Sequence, residues 1–158
     1  MSNNYTVTKV QRITVIDDTL RDAIIHKGAL FYSEAKVPGS FKVNTFLNNW
    51  NLLIKMGVGA MWRLDHGERL IGLFGATIAP DMCDGNIIAQ ECFWYVDKSS
   101  RGFVGAINLF RIFVDWAKKV GAARVIVTHL TNSMPEKLKK FYEREGFRVI
   151  ETNYLREL

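Results

Sequence analysis

One segment of the chain combines the features of an anion-binding turn. It leaves an apolar strand pattern at Val96, passes through a turn that contains Gly102, and enters an amphipathic helix pattern near Val104. Backbone N–H groups at a helix N-terminus point outward, the helix dipole adds positive potential, and glycine allows a phosphate to approach closely. The segment contains neither Gly-x-Gly-x-x-Gly nor a P-loop Gly-Lys-Ser/Thr. Taken alone, it therefore favours a structural connection over an anion site.

Other polar side chains give weaker evidence for a catalytic or metal site. Cys92 with His129 could form a nucleophile and its base, but both are more typical of packing residues in or near a sheet. His26 and His66 lack ligand spacing to each other or to the cysteines, so we expect no metal site.

Composition and charge restrict the class of protein. The 158 residues predict one domain over residues 1–158, and the two cysteines suggest reduced thiols in the cytoplasm. No apolar run reaches the roughly 20 residues that span a bilayer, so we expect no membrane association. The net charge of +5 favours anionic partners. A basic cluster at residues 137–148 leaves nucleic-acid binding open, although no run of five or more Lys or Arg occurs.

Hydrophobic periodicity predicts the elements that position these residues. Their order is β-α-α-β-β-β-α-β-α-β-β, with an antiparallel front half. Ser133 and Glu136 form the pattern of a capping box before the last helix. The predicted strands span residues 12–16, 60–64, 70–78, 87–96, 124–129, 147–151 and 154–156. The predicted helices span residues 17–32, 44–56, 104–120 and 135–145.

Two motifs resemble those of the GNAT (Gcn5-related N-acetyltransferase) superfamily. Trp94-Tyr95-Val96 is similar to the strand end before motif A, and residues 101–106 resemble its Gln/Arg-x-x-Gly-x-Gly/Ala, with Val104 where glycine is usual. Asn132 and the Phe-Tyr-x-x-x-Gly-Phe pattern of residues 141–147 resemble motif B. The likeness covers residues 58–151 well, and the first 57 residues agree only in element order.

The resemblance implies a fold and a cosubstrate. The fold would be mixed α/β, with a mostly antiparallel central sheet of 6–7 strands, a splayed parallel pair, and helices on both faces. The cosubstrate would be acetyl-CoA, with its pantetheine bound by peptide groups of residues 94–96 and steadied by Asn132. Its pyrophosphate would be cradled by backbone N–H groups of Arg101, Gly102, Phe103, Val104, Gly105 and Ala106.

The resemblance also implies a general acid and a general base. Tyr142 would protonate the departing CoA thiolate, because a phenol keeps its proton at neutral pH; the alternative is a packed tyrosine whose hydroxyl is satisfied. Glu91 would take a proton from the substrate amine, since burial could raise its pKa toward neutrality; the alternative is a pair with a surface Arg or Lys. Glu34 and Asp97 are weaker candidates for the base.

The sequence therefore predicts an N-acetyltransferase that moves an acetyl group directly from acetyl-CoA to a primary amine. The amine could belong to a small molecule, a protein or an aminoacyl-tRNA. One alternative is a catalytically inactive GNAT fold that binds a partner, suggested by Val104. Another is a basic nucleic-acid-binding domain. The residues from Tyr154 to Leu158 could complete the sheet or exchange between the subunits of a homodimer.

Overall fold

A five-stranded mixed sheet organises the chain. The computed structural model describes residues 8–36 and 38–158. The spatial order of the strands follows the sequence; the first four pair antiparallel, and the fifth pairs parallel to the fourth. The strands are β1 (Thr8–Ile13), β2 (Gly59–His66), β3 (Arg69–Pro80), β4 (Ile87–Val96) and β5 (Arg124–Ile126). The helices are α1 (Asp18–Ala35), α2 (Val43–Lys55), α3 (Val104–Lys119) and α4 (Pro135–Arg144).

Local sequence signals account for the helices that flank the site. The Asp17 side chain caps α1 by accepting a hydrogen bond from the Leu20 N–H at 3.0 Å. In α3 the buried residues recur at helical spacing and form one apolar face. That helix ends on two lysines that complement its dipole, and Gly121 follows with φ of 77°.

Helices cover both faces of the sheet. On one face α3 and α4 pack over Trp62 and Phe74 of the sheet. On the other face α1 and α2 pack over Met61 and Leu73. The predicted mixed α/β class with helices on both faces is therefore confirmed.

The prediction of six or seven strands is wrong for the part of the chain that the structure describes. Residues 147–151 and 154–156 form no strand, and β5 ends at Ile126 rather than at residue 129. Phe147 packs against the Phe110 and Tyr142 rings, but Val149 and Tyr154 lie largely exposed, so beyond Phe147 this segment buries no apolar face against the sheet. Without such burial a short apolar run has no reason to adopt a strand.

Two boundaries also differ from the sequence predictions. The first strand lies at Thr8–Ile13 instead of residues 12–16. The capping box at Ser133 does not form, because Pro135 is the first helical residue and Met134 therefore occupies the cap position, with no side-chain cap hydrogen bond.

No helix within residues 8–36 and 38–158 combines the length and apolar character needed to cross a membrane.

Candidate active site

The sheet opens between β4 and β5, which pair over only three positions. Ile88, Ala89 and Gln90 pair with the three residues of β5, and the two strands then separate. From Glu91 to Val96, β4 has strand pairing among the described residues only on its β3 side. The other edge of this stretch, which we call the open edge, faces the gap between the strands.

The peptide groups of two residues face the open edge. The Asp97 N–H donates to the Ile71 carbonyl at 2.8 Å, and Tyr95 lies opposite Leu73 of β3. Because successive residues of a strand direct their peptide groups to alternate sides, the N–H and C=O of Trp94 and Val96 point away from β3. The Val96 carbonyl accepts a hydrogen bond from Arg101 Nε at 2.8 Å. The open edge thus offers unpaired strand positions to an extended ligand.

The predicted anion turn follows this edge. A short 3-10 turn over Lys98–Ser100 leads through Gly102, whose φ of 91° favours glycine, into the N-terminus of α3. Gly102 and Ala106 line a cavity of about 280 Å³ with the open edge; we call it the edge cavity. Phe103 is largely exposed.

Val104 and Gly105 lie outside the lining of the edge cavity. The Val104 side chain is 72% exposed at the start of α3. Gly105 faces the sheet, where an added Cβ would come within 2.8 Å of Thr8 Cγ2 and 2.9 Å of Leu64 Cδ1. The close packing of helix on sheet therefore explains this glycine.

A buried ion pair fixes the strand end on which the turn depends. The Lys27 ammonium of α1, only 6% exposed, lies 2.6 Å from the Asp97 carboxylate. Arg69 holds the second oxygen of Asp97 at 3.0 Å. Asp97 is thereby a structural residue that ties α1 to β4, and its predicted role as a weak candidate base has no support from these contacts.

Arg101 and Asn132, both predicted to contact the cosubstrate, contact the end of α1 in this structure. Arg101 pairs with the Glu34 carboxylate at 2.5 Å, and the Asn132 amide donates to the Ala35 carbonyl at 3.1 Å. All four residues line the edge cavity. The end of α1 is therefore one wall of that cavity.

A second cavity of about 500 Å³ adjoins the first. We call it the aromatic cavity. Phe31, Trp94, Ser133 and Leu138 line both cavities, so the two meet at these residues. Cys92 and His129, expected to be packing residues, are instead exposed on its wall.

Glu91 and Tyr142 line the aromatic cavity and bind the backbone of the same residue. The Thr128 N–H donates to Glu91 Oε2 at 3.1 Å, and the Tyr142 hydroxyl donates to the Thr128 carbonyl at 3.0 Å. Thr128 follows β5, where the chain has left the sheet pairing. The sequence predicted both side chains but missed Thr128, because a backbone contact leaves no signature in residue type.

Burial controls the charge of both side chains. Glu91 is 9% exposed, and its desolvation raises the pKa of the carboxyl to about 7 against the opposing effect of the Thr128 N–H. Tyr142 is 7% exposed, and desolvation followed by the nearby Glu91 charge raises the pKa of its phenol above the usual 10. Tyr142 therefore stays protonated, and Glu91 changes charge near neutral pH. Glu91 binds a backbone amide rather than a surface cation.

Among the residues that the structure describes, no group of three or more His, Cys, Asp and Glu side chains is placed to hold a metal ion.

The raised pKa of Glu91 predicts a pH dependence of stability that Glu91→Gln removes. Between about pH 4.5 and pH 7 the folded carboxyl keeps its proton and the unfolded one has lost it, so stability falls as pH rises. The free energy of unfolding of the wild type should fall by up to about 3 kcal/mol relative to Glu91→Gln over this window. Urea unfolding from pH 4 to pH 8 measures the difference.

Glu157→Gln serves as the control, since it removes a carboxyl at an exposed position. Its pH profile should follow the wild type. Parallel profiles for the wild type and Glu91→Gln would contradict the raised pKa.

Comparisons by sequence and by structure give different results. No protein-family model matches the chain, and no curated protein matches it by sequence.

Three solved structures have similar folds. An acetyltransferase of Trypanosoma brucei is 21% identical, with a TM-score of 0.69 over 96% of this chain and 100% of that chain. AAC(6')-Iy, in complex with the bisubstrate analogue CoA-S-monomethyl-acetylneamine, is 15% identical, with a TM-score of 0.75 over 96% of this chain and 98% of that chain. A transcriptional regulator of Bacillus halodurans C-125 is 14% identical, with a TM-score of 0.76 over 96% of this chain and 100% of that chain.

The structural likeness covers 96% of the chain, so it extends beyond residues 58–151, to which the close motif resemblance was limited. This likeness, the separated parallel pair and the turn at the start of α3 all agree with the resemblance seen in the sequence, which is confirmed at the level of the fold. This chain has the fold of the GNAT acetyltransferases.

Proposed function

We propose that the protein is an N-acetyltransferase that moves an acetyl group directly from acetyl-CoA to a primary amine. The observation that carries this proposal is that Glu91 and Tyr142 bond the N–H and C=O of Thr128 on the wall of the aromatic cavity, which adjoins the edge cavity at Trp94 and Leu138. An ionisable base and a protonated phenol thus contact the same residue in one of two adjoining cavities. Two structural neighbours support the same class of reaction: the Trypanosoma brucei protein is an acetyltransferase, and AAC(6')-Iy was solved with a bisubstrate analogue that contains CoA.

The edge cavity suits the shape and charge of the cosubstrate. Pantetheine can extend along the open edge and bond the peptide groups of Trp94 and Val96 as an added strand would. The α3 N-terminus and Lys137 lie on the same cavity, where they favour the diphosphate. We assign the diphosphate to backbone N–H groups within residues 101–106 rather than to the Arg101 side chain, which Glu34 already holds.

Glu91 would act as the general base. A carboxyl with a pKa of about 7 is partly ionised at neutral pH, and it can take a proton from the substrate ammonium directly or through one water. The freed amine nitrogen then attacks the thioester carbonyl carbon, forming the C–N bond while the carbonyl electron pair moves to oxygen.

Tyr142 would act as the general acid when the C–S bond breaks. Its proton passes to the departing sulfur, giving CoA as the free thiol. The negative charge of Glu91 raises the pKa of Tyr142, so protonation of Glu91 removes that contribution and makes the phenol a stronger acid. Proton uptake by the base therefore assists proton donation by the acid. The amide nitrogen then loses its remaining extra proton to the tyrosinate, and Glu91 releases its proton to solvent, so both groups are restored.

Val104, which suggested a partner-binding protein without catalysis, does not obstruct the proposed site. Its side chain points into solvent and lines neither the edge cavity nor the aromatic cavity. The acetyltransferase proposal therefore does not need glycine at this position.

Cosubstrate binding tests the proposal most simply. At 100 times its dissociation constant, acetyl-CoA or CoA should stabilise the protein by about 2.7 kcal/mol. For a chain of this size that corresponds to a rise in Tm of several degrees. Thermal melting with acetyl-CoA, CoA and ADP measures the shift, and ADP should give less because it lacks pantetheine. The absence of a shift with both acetyl-CoA and CoA would contradict the proposal.

Replacement of Tyr142 tests the acid. Tyr142→Phe keeps the ring and removes the donor, so kcat should fall about 100-fold or more while the dissociation constant of CoA stays within a few fold. Steady-state thiol release and a CoA titration give the two values.

Tyr154→Phe is the control, because Tyr154 is 94% exposed in the C-terminal segment. Both variants should melt cooperatively. Unchanged turnover in Tyr142→Phe would assign thiolate protonation to another group.

A further inference from the structure

The lining of the aromatic cavity narrows the class of amine that the protein accepts. We propose that the acceptor is a small primary amine carried on an aromatic or apolar body, rather than a polyamine or another polycation. This inference rests on the proposed acetyltransferase function and concerns the substrate side of the same site.

A continuous set of aromatic rings lines this cavity. Phe93 of β4 is its centre: the Phe31, Phe46 and Trp50 rings lie 5.8, 6.1 and 5.3 Å from it, measured between centroids. Phe41 extends the set, 5.2 Å from Phe46. Rings at such distances offer faces and edges to another ring, so an aromatic group can pack among them with favourable geometry.

The charges on the cavity oppose a second cation. Among the described residues that line it, Glu91 is the single carboxylate, and Lys42 contributes a positive charge at the rim. Glu91 can pair with one ammonium group, since its carboxylate is buried and held by the Thr128 N–H. A second ammonium would lose water beside aromatic rings without gaining an anionic partner, which is unfavourable.

The position of Glu91 also places the substrate amine among the rings. Glu91 and Tyr142 line the aromatic cavity together with the rings of α1 and α2, and Phe93 lies two residues from Glu91 on β4. An amine bound by Glu91 therefore has its body in the same cavity as these rings. The cavity volume of about 500 Å³ falls in the range that holds small organic ligands.

A paired amine series tests this inference. We would compare 2-phenylethylamine with putrescine and spermidine, following thiol release from acetyl-CoA. The wild type should give a kcat/KM at least about tenfold higher for 2-phenylethylamine, because its ring gains burial and the polyamines lose hydration. Isothermal titration of each amine into the CoA complex measures the dissociation constants, which should show the same preference without turnover.

A variant on α2 should change the preference in a defined direction. Asn49→Asp adds a carboxylate to the cavity wall at nearly constant size. The ratio of kcat/KM for putrescine to that for 2-phenylethylamine should rise at least about threefold, because the second ammonium gains a partner. Asn48→Asp, the matched control, adds the same charge at a neighbouring exposed position outside the cavity lining and should leave the ratio unchanged.

The outcomes separate the two proposals. Faster acetylation of putrescine or spermidine by the wild type would overturn the substrate class and leave the acetyltransferase function in place. Failure of 2-phenylethylamine to bind the CoA complex at millimolar concentration would also overturn the class. An equal change of the kcat/KM ratio in Asn48→Asp and Asn49→Asp would show that the net charge of the protein, and not the lining of the cavity, determines the preference. Absence of CoA binding would overturn both proposals.

Discussion

The separation of β4 from β5 after three paired positions is the constraint on which the site depends. Had the parallel pairing continued, the peptide groups of Trp94 and Val96 would bond a neighbouring strand. Thr128 would then lie within a ladder rather than between two side chains. Because β5 ends at Ile126, the open edge and the Thr128 peptide groups both become available for other contacts. One interruption of the sheet thus creates both the open edge and the Thr128 contacts on which the proposed function rests.

Helix α1 links these two places. Its Lys27 fixes Asp97 at the end of the open edge, and its last turn forms a wall of the edge cavity through Glu34 and Ala35. Phe31 lies between these contacts and lines both cavities. A helix held by a buried ion pair on one side and by Arg101 on the other keeps the two spaces in a fixed relation. In the proposed function, this arrangement would bring an amine and a thioester to the two side chains that contact Thr128.

Most of the regular elements, and the two side chains that contact Thr128, could be predicted from the sequence. The apolar face of α3 and the alternating or continuous apolar runs of β2 to β4 are local patterns, and local patterns determine these elements. Glu91 and Tyr142 were predicted through the motif resemblance. The strands expected at residues 147–156 were wrong, because their short apolar runs are common and only a partner surface would make them strands.

The contacts that join distant segments could not be predicted in the same way. Lys27 and Asp97 are 70 residues apart, and Glu34 and Arg101 are 67 apart. Nothing in the residue types along a single sequence specifies which lysine meets which aspartate. The Thr128 contacts are still less visible, because any residue has an N–H and a C=O. The structure therefore supplies the pairing, and the sequence supplies the groups that are paired.

Amide hydrogen exchange at the open edge tests the central claim most directly. Without ligand, the Trp94 and Val96 N–H groups should exchange quickly, whereas the Tyr95 N–H, directed toward β3, should be protected. Saturating CoA should slow exchange at Trp94 and Val96 by at least about tenfold more than at Tyr95, since pantetheine then bonds the open edge. Bound CoA that leaves Trp94 and Val96 unchanged relative to Tyr95 would contradict this account of the site.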